Sequence, residues 1–362
     1  MAGALDPRLV SALEYAERFG HEEVVMVRDP AARLRAFIAL HDTTLGPAIG
    51  GTRMRLYPSL DDALLDALRL ARAMTYKSAM AGMAYGGGKA VIVADPRRDK
   101  TPALLTAYAR AVHRLGGRFH TGTDMGLDGR DIAVMAAVTP YASHTAPGGR
   151  VDAADLAALG VFASIEAAAR VLDRPVRGLR VAMQGLGEVG GRLARQLAQA
   201  GARLIVADVD RPRAERAVRE LDAVAVDPDA IYDVDADVFS PNAAGSVLTE
   251  STIPRLRCRA VVGAANDQLA DERDGDRLHE RGILYGPDYV VNAGGLLSVL
   301  FETGDLDEAR VTARVRGIGE TVAAVWSRAR GEGAPPHRIA DRMAEERLAA
   351  GRAARRARPE GA

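Results

Sequence analysis

The 362-residue chain has one cysteine, Cys258, so no disulfide can form within it and a reducing compartment fits best. No apolar run approaches the roughly 18 residues that a membrane span needs. The opening residues, MAGALDPRLV, lack the apolar stretch of a signal peptide. These absences lead to the expectation of a cytoplasmic, soluble protein with no membrane partner. Basic and acidic side chains number 48 each, so the charge balance gives no reason to expect nucleic acid or anionic lipid. No Cys/His cluster has metal-ligand spacing, so no metal is expected.

Lysine and asparagine are scarce in a more informative way. Only three of the 48 basic residues are lysine, namely Lys77, Lys89 and Lys100; the rest are arginine. A guanidinium stays protonated under ordinary conditions, whereas an ammonium can be desolvated or crowded until it loses its proton near neutrality. Two of the three lysines fall in MTYKSAMAGMAYGGGKAVIVADP (74–96), on either side of Gly86-Gly87-Gly88. That stretch is the candidate active site.

The first part of the chain reads as a mixture of helices and strands. Residues 8–19 have helical apolar spacing. Residues 23–29 and 34–42 read as strands joined at Asp29-Pro30. The glycine-rich run from Gly46 to Arg53 reads as an irregular loop, its glycines permitting close backbone approach. Ser59 caps a strong helix that carries Lys77 near its C-terminal end, where a cation also suits the helix dipole. After the triple glycine, KAVIVAD (89–95) reads as a buried strand, and 101–115 as a helix. A short strand then leads into a loop bearing Asp124. Small residues, Pro and Gly between Thr139 and Asp155 mark a domain boundary. The expected domains are 1–145 and 146–335, with the C-terminal helix (336–362) packing back on the first.

The second part carries a dinucleotide fingerprint. RVAMQ reads as a strand, Gly185-Leu186-Gly187-Glu188-Val189-Gly190 opens a helix, and ARLIVAD is a second strand ending at Asp208. The order strand, G-x-G-x-x-G, helix, strand, acid matches the pyrophosphate-binding turn in full. Gly185 and Gly187 allow a tight turn and close approach to phosphate at the helix N-terminus. Asp208 suits ribose hydroxyls and repels a 2′-phosphate, favouring NAD over NADP; Arg211 lies near enough in sequence to weaken that preference. The three asparagines, Asn242, Asn266 and Asn292, each follow a segment read as a strand (DVFSP, RAVVGAA and DYVV). They are candidates for cofactor or substrate amide contacts. The C-terminal region from Asp305 reads as helices broken at 331–338.

The resulting fold expectation is α/β: a substrate domain followed by a Rossmann domain, with the active site in the cleft between them. Hydride transfer needs a substrate carbon held against the nicotinamide and away from water. Lys77 can hold a substrate carboxylate, and Lys89 can act as the base. Bringing a lysine to a working pKa near neutrality takes about 4 kcal/mol of burial and like-charge repulsion; Lys77 is the cation expected to supply the repulsion. Asp124 can pass protons. The residues alone therefore indicate an NAD-dependent oxidoreductase acting on a small carboxylate.

The same residues resemble the amino-acid dehydrogenases, the group that includes glutamate, leucine, valine and phenylalanine dehydrogenases. The resemblance lies in GPAIGGTRM (46–54), MTYKSAMAG (74–82), YGGGKAVIVADP (85–96), TGTDMG (121–126), QGLGEVG (184–190), GAANDQL (263–269) and GILYGPDYVVNAGG (282–295). It implies reversible oxidative deamination of an L-amino acid to the 2-oxo acid and ammonia, in a homo-oligomer. By this resemblance Lys77 binds the substrate carboxylate and Lys89 activates the water that attacks the imine. Asp124 moves protons at the amino group, and Gly50 and Gly51 line the substrate main chain. Asn266 and Asn292 serve cofactor and substrate, and Asn242 stands at a cofactor position where the family usually has Cys. Glutamate-specific relatives place lysine and serine where this chain has Ile49 and Val299. A side-chain carboxylate buried beside these residues would cost several kcal/mol. The implied pocket of Ile49, Gly122, Leu296 and Val299 is apolar, which points to leucine or valine. The pairing of Gly122 with Leu296 keeps an aromatic substrate open. Ala157 stands where the family usually has Thr, leaving a dinucleotide binder without turnover as a further alternative.

Overall fold

The computed structural model describes residues 11–142 and 151–357. The chain divides into two compact units, Met1–Pro147 with Ala344–Ala362, and Gly148–Met343. Residues 8–10 of the expected opening helix, 143–150 of the expected linker with the boundary at 145/146, and Arg358 onward lie outside the described residues.

In the first unit, Ser11 and Glu14 form a capping box that starts α1 (Ala12–Phe19). Strands β1 (Glu23–Asp29) and β2 (Leu34–Asp42) then pair antiparallel. They are followed by β3 (Ala48–Ile49), β4 (Thr52–Arg55), α2 (Leu60–Met80), β5 (Gly86–Val93), α3 (Pro102–Arg114), β6 (Phe119–His120) and α4 (Gly129–Ala136). The sheet order is β1-β2-β5-β3-β6, with β4 also paired to β5. Period-two alternation along β2 sends Leu34, Ala36, Ile38 and Leu40 into one core with Leu104, Tyr108 and Phe119. It sends Phe37 and Ala39 into a second core, with Ala63, Ala67, Leu68 and Ala71 of α2. Helices therefore cover both faces of the sheet.

Two segments differ from the sequence expectation. The Gly46–Arg53 stretch is not wholly irregular: β3 and the start of β4 lie within it, because each gains a parallel ladder with β5. The triple glycine is itself strand, the first three residues of β5. Tertiary pairing overrides the low strand propensity of glycine there. Helix α4 went unforeseen; its only strong local signal is the Asp128–Asp131 capping box.

The second unit contains α5 (Ala153–Val171), β7 (Arg180–Gln184), α6 (Glu188–Gln199), β8 (Arg203–Ala207), α7 (Arg211–Leu221), β9 (Val224–Ala225), β10 (Val238–Pro241) and β11 (Ala260–Val261). Next come α8 (Glu272–Glu280), β12 (Leu284–Tyr285), α9 (Asp288–Val291), α10 (Gly294–Leu297), α11 (Val299–Glu302), α12 (Glu308–Arg316) and α13 (Ile318–Glu332). The sheet order β12-β11-β10-β7-β8-β9 is parallel throughout. The order reverses between β7 and β10, the doubly wound arrangement whose switch point receives ligands. DYVV, expected as a strand, is helix α9 instead. Pro287 and Asp288 open a helical turn there, and burial of Val290 and Val291 outweighs their β-branched preference.

Helix α14 (Pro336–Arg356) is the last described element, its residues from Ala344 belonging to the first unit. Within that unit Tyr76 donates to Glu345, and Arg352 pairs with Asp42 at 2.9 Å. No helix among the described residues is long and apolar enough to cross a membrane.

Candidate active site

The two rare lysines are placed by a contact that excludes side chains. A Cβ added to Gly87 would lie 2.0 Å from the Thr75 nitrogen, so α2 rests directly on the backbone of β5. Lys77 follows Thr75 by two residues in α2, and Lys89 follows Gly87 by two in β5. A Cβ on Gly86 would fall 2.1 Å from the Asp42 carbonyl oxygen. The 50–51 segment packs as closely: a Cβ on Gly50 would meet the Gly88 carbonyl oxygen of β5 at 1.8 Å, and one on Gly51 the Thr123 carbonyl oxygen, in the loop after β6, at 2.3 Å. The close approach expected of these glycines is thus made to the protein's own backbone.

The segment from Ala48 to Met54 runs along the segment that bears Asp124. Ala48, Gly50, Thr52 and Met54 donate N–H bonds to the carbonyls of Arg118 (2.9 Å), His120 (3.1 Å), Gly122 (3.0 Å) and Met125 (2.8 Å). This ladder sets Arg53 beside Asp124. Lys89 Nζ lies 2.8 Å from Asp124 Oδ2, and Arg53 Nε donates to the same oxygen at 3.0 Å. The Arg53 guanidinium also donates to Asp66 at 3.1 Å, and Asp66 accepts from Tyr57 OH at 2.7 Å. Lys89 is only 7% exposed.

Burial pushes the Lys89 ammonium below its ordinary value and Arg53 pushes the same way, while Asp124 opposes them. For Asp124, burial works to raise the carboxyl, but Lys89 and Arg53 outweigh it and leave it below the usual carboxylate range. Arg53 is thus a cation acting on Lys89 that sequence reasoning missed. It was visible only as part of GPAIGGTRM, in a chain where arginine is the common cation. Lys77, expected to act on Lys89 by repulsion, lies half-buried in the last turn of α2. Lys100 stands apart from this pair. It donates to the Gly126 carbonyl at 3.2 Å and pairs with Asp131 at 2.7 Å, securing the loop after Asp124.

In the second unit, Gly185 has φ +93°, a conformation that favours glycine, and a Cβ there would lie 2.6 Å from the Ala243 Cβ. A Cβ on Gly190 would fall 2.2 Å from the Gly185 carbonyl oxygen. Gly187 is the N-cap of α6 and supplies no side-chain cap; the one neighbour within 4 Å of a Cβ there would be the Arg213 guanidinium, at 3.8 Å. Leu186, Glu188 and Val189 complete the turn, whose uncapped N–H groups suit a pyrophosphate. Asp208, at the end of β8, accepts from the N–H groups of Leu186 (2.6 Å) and Asp210 (2.8 Å). These residues fit a dinucleotide. An arginine beside the turn is Arg213, paired with Asp210 at 3.1 Å.

Asn242 directly follows β10 as expected, whereas Asn266 lies five residues beyond β11 and Asn292 follows α9. Asn242 N–H donates to the Gln184 carbonyl at 2.7 Å, which bridges β10 to β7 at the switch point. Its Oδ1 accepts from Ala264 N–H at 2.9 Å. Asn292, buried after α9, donates to Asn266 Oδ1 at 2.8 Å and to the Ala264 carbonyl at 3.1 Å. Leu296 and Val299 are half-buried on α10 and α11; Ile49 and Gly122 lie in the first unit, on β3 and just after β6. Among the described residues no group of three or more His, Cys, Asp or Glu is arranged to hold a metal ion.

A doubly wound unit fit for a dinucleotide, joined in one chain to a unit that pairs a buried lysine with a half-buried aspartate, is the arrangement expected of an oxidoreductase. Residues 20–141 match the Glu/Leu/Phe/Val dehydrogenase dimerisation domain, and residues 205–355 match the Glutamate/Leucine/Phenylalanine/Valine dehydrogenase domain. The chain is 43% identical to leucine dehydrogenase of Thermoactinomyces intermedius, over 92% of this chain and 93% of that protein. It is 43% identical to valine dehydrogenase of Streptomyces albus, over 96% and 97%. The crystal structure of L-tryptophan dehydrogenase from Nostoc punctiforme superposes with a TM-score of 0.83 at 40% identity, covering 94% of this chain and 99% of that one. The chain belongs to the Glu/Leu/Phe/Val dehydrogenase family and is an amino-acid dehydrogenase. Enzymes of this family generally depend on NAD(P).

Proposed function

We propose that the protein catalyses NAD-dependent, reversible oxidative deamination of an apolar L-amino acid of the leucine and valine class. The observation that carries the reading is the pairing of the buried Lys89 with the half-buried Asp124, 2.8 Å apart. When bound, the nicotinamide supplies the hydride acceptor. Lys77 holds the substrate carboxylate, and Gly50 and Gly51 lie along the substrate main chain. Asp124, as a carboxylate, takes a proton from the substrate ammonium. After hydride loss from Cα, Lys89 in its neutral form removes a proton from the water that attacks the imine carbon. Asp124 returns a proton to the amino group of the resulting carbinolamine, and as the C–N bond breaks the hydroxyl proton passes to solvent, leaving ammonia and the 2-oxo acid.

Asn292 and Asn266 contact substrate and cofactor, with Asn242 at the switch point. Asp208 selects NAD by accepting from ribose hydroxyls and repelling a 2′-phosphate. Ile49 and Gly122 of the first unit, and Leu296 and Val299 of the second, are the apolar residues proposed to select the substrate side chain. Gly122 leaves room that favours a second reading, an aromatic substrate; the family similarity also includes phenylalanine dehydrogenase of Thermoactinomyces intermedius, at 44% identity. The enzyme works in the cytoplasm as a homo-oligomer, consistent with the dimerisation-domain description of its first part.

The test is NAD reduction with a panel of leucine, valine, isoleucine, phenylalanine and tryptophan. Highest kcat/KM with leucine or valine is expected. Preference for phenylalanine or tryptophan selects the second reading, and no reduction with any member removes both.

A further inference from the structure

Arg53 and Lys89 share one acceptor atom, Asp124 Oδ2, at 3.0 and 2.8 Å. The charged groups acting on Lys89 come from three elements. Asp124 comes from the loop after β6, Arg53 from β4, and Asp66 from α2, the helix that also carries Lys77. The Arg53 side chain is 18% exposed and spans the two carboxylates, with Nε on Asp124 and Nη1 on Asp66.

We propose that Arg53 is a positioning residue for the deamination: held by Asp66, its guanidinium fixes Asp124 and replaces the Lys89 ammonium as counter-charge when Lys89 gives up its proton. This rests on the reading of Lys89 as the base.

A base of this kind must exist as a neutral amine beside an ionised Asp124. With only Lys89 as partner, deprotonation would strand a partly buried carboxylate, and the carboxyl would take up the proton itself. Then neither group could perform its step. Arg53 prevents this because it cannot deprotonate and is anchored by a second acid. The Tyr57 hydroxyl on Asp66 orients that acid, so its oxygens face the guanidinium. A point charge on a flexible stem would satisfy one carboxylate or the other; the planar fork reaches both.

The test compares Arg53→Gln and Arg53→Lys with the wild type in the pH dependence of kcat and kcat/KM. In Arg53→Gln the acid limb of kcat/KM should move to higher pH by about one unit or more, lowering activity about ten-fold at pH values below the limb. In Arg53→Lys the limb should stay near its wild-type position while kcat falls, with KM for the amino acid little changed. A second readout does not need turnover. The chain has three lysines, so protein labelled with 13C-lysine gives three side-chain signals whose titration can be followed by NMR. Lys89 should titrate at higher pH in Arg53→Gln.

An unshifted limb together with an unshifted Lys89 titration in Arg53→Gln would overturn the proposal. If that variant does not fold, as judged by thermal melting, wild-type kcat in Arg53→Lys overturns it equally. Should the wild type reduce NAD with no amino acid, the proposed function fails, and the lysine titration still decides whether Arg53 governs Lys89.

Discussion

Lys89 reaches Asp124 at 2.8 Å from a strand whose side chain is almost entirely shut from solvent. An ion pair so placed loses much of its stabilisation to desolvation, which points to a chemical rather than a purely structural role. Replacing Lys89 with Met keeps an apolar stem in the same space and removes the base. Loss of kcat of about 10²–10⁴-fold is expected, with NADH binding, followed by fluorescence, intact. Retained turnover would remove Lys89 from the mechanism.

Asp208 is held by two backbone N–H donors, Leu186 and Asp210. In Asp208→Ala the negative charge that opposes a 2′-phosphate is gone. The ratio of kcat/KM with NADP to that with NAD should rise about ten-fold or more, a change of about 1.4 kcal/mol. Steady-state kinetics with both cofactors checks this, and an unchanged ratio would place cofactor selection elsewhere.

Acid stability should depend on His41. Its Nε2 lies 3.0 Å from the Phe19 carbonyl, which can only accept, so Nε2 carries the ring hydrogen. Nδ1 then accepts from the Thr75 hydroxyl at 2.9 Å. Burial, helped by the neighbouring His21, holds the imidazole down to about 4 from 6.5. The folded state therefore binds fewer protons than the unfolded state between those values, so stability rises with pH across that window and is lost on acidification. The loss from this group is about 3 kcal/mol. Urea unfolding at several pH values should show a shallower dependence between pH 6.5 and 4 in His41→Gln; an unaltered dependence would refute the assignment.

Gly87→Ala should be among the most damaging of the small substitutions. Overpacking ordinarily costs about 1–3 kcal/mol, and here the clash is with backbone rather than a movable side chain. Thermal melting is expected to show a large loss of stability or no folded protein, whereas Gly331→Ala, within α13 with nothing within 4 Å and no left-handed backbone, should cost far less. Equal melting temperatures for the two would contradict the contact.

Much of this was legible in residue order. Strands β1, β2, β7 and β8 announce themselves by alternation or by short buried runs with turn residues at their ends, and the fingerprint from Gly185 to Asp208 predicts its own geometry. The scarcity of lysine marked Lys77 and Lys89 before any contact was known. What escaped is non-local. Glycines at 86–88 look like a loop until β2 and β3 are seen to pair with them. Val290-Val291 looks extended until its burial in α9 is seen. Arg53 is one arginine among many until the 48–54 and 118–125 segments are laid side by side, and Lys100 acquires a purpose only through Gly126 and Asp131.

The bare-backbone seam between Gly87 and Thr75 also bears on how this enzyme can be redesigned. A directed-evolution library that varies the seam would consist mostly of dead clones, because no rotamer can relieve a collision with a peptide nitrogen. The helix and strand that carry the two lysines can be treated as a fixed datum. Diversity spent on Ile49, Leu296 and Val299 leaves that datum untouched and alters the side chains proposed to meet the substrate.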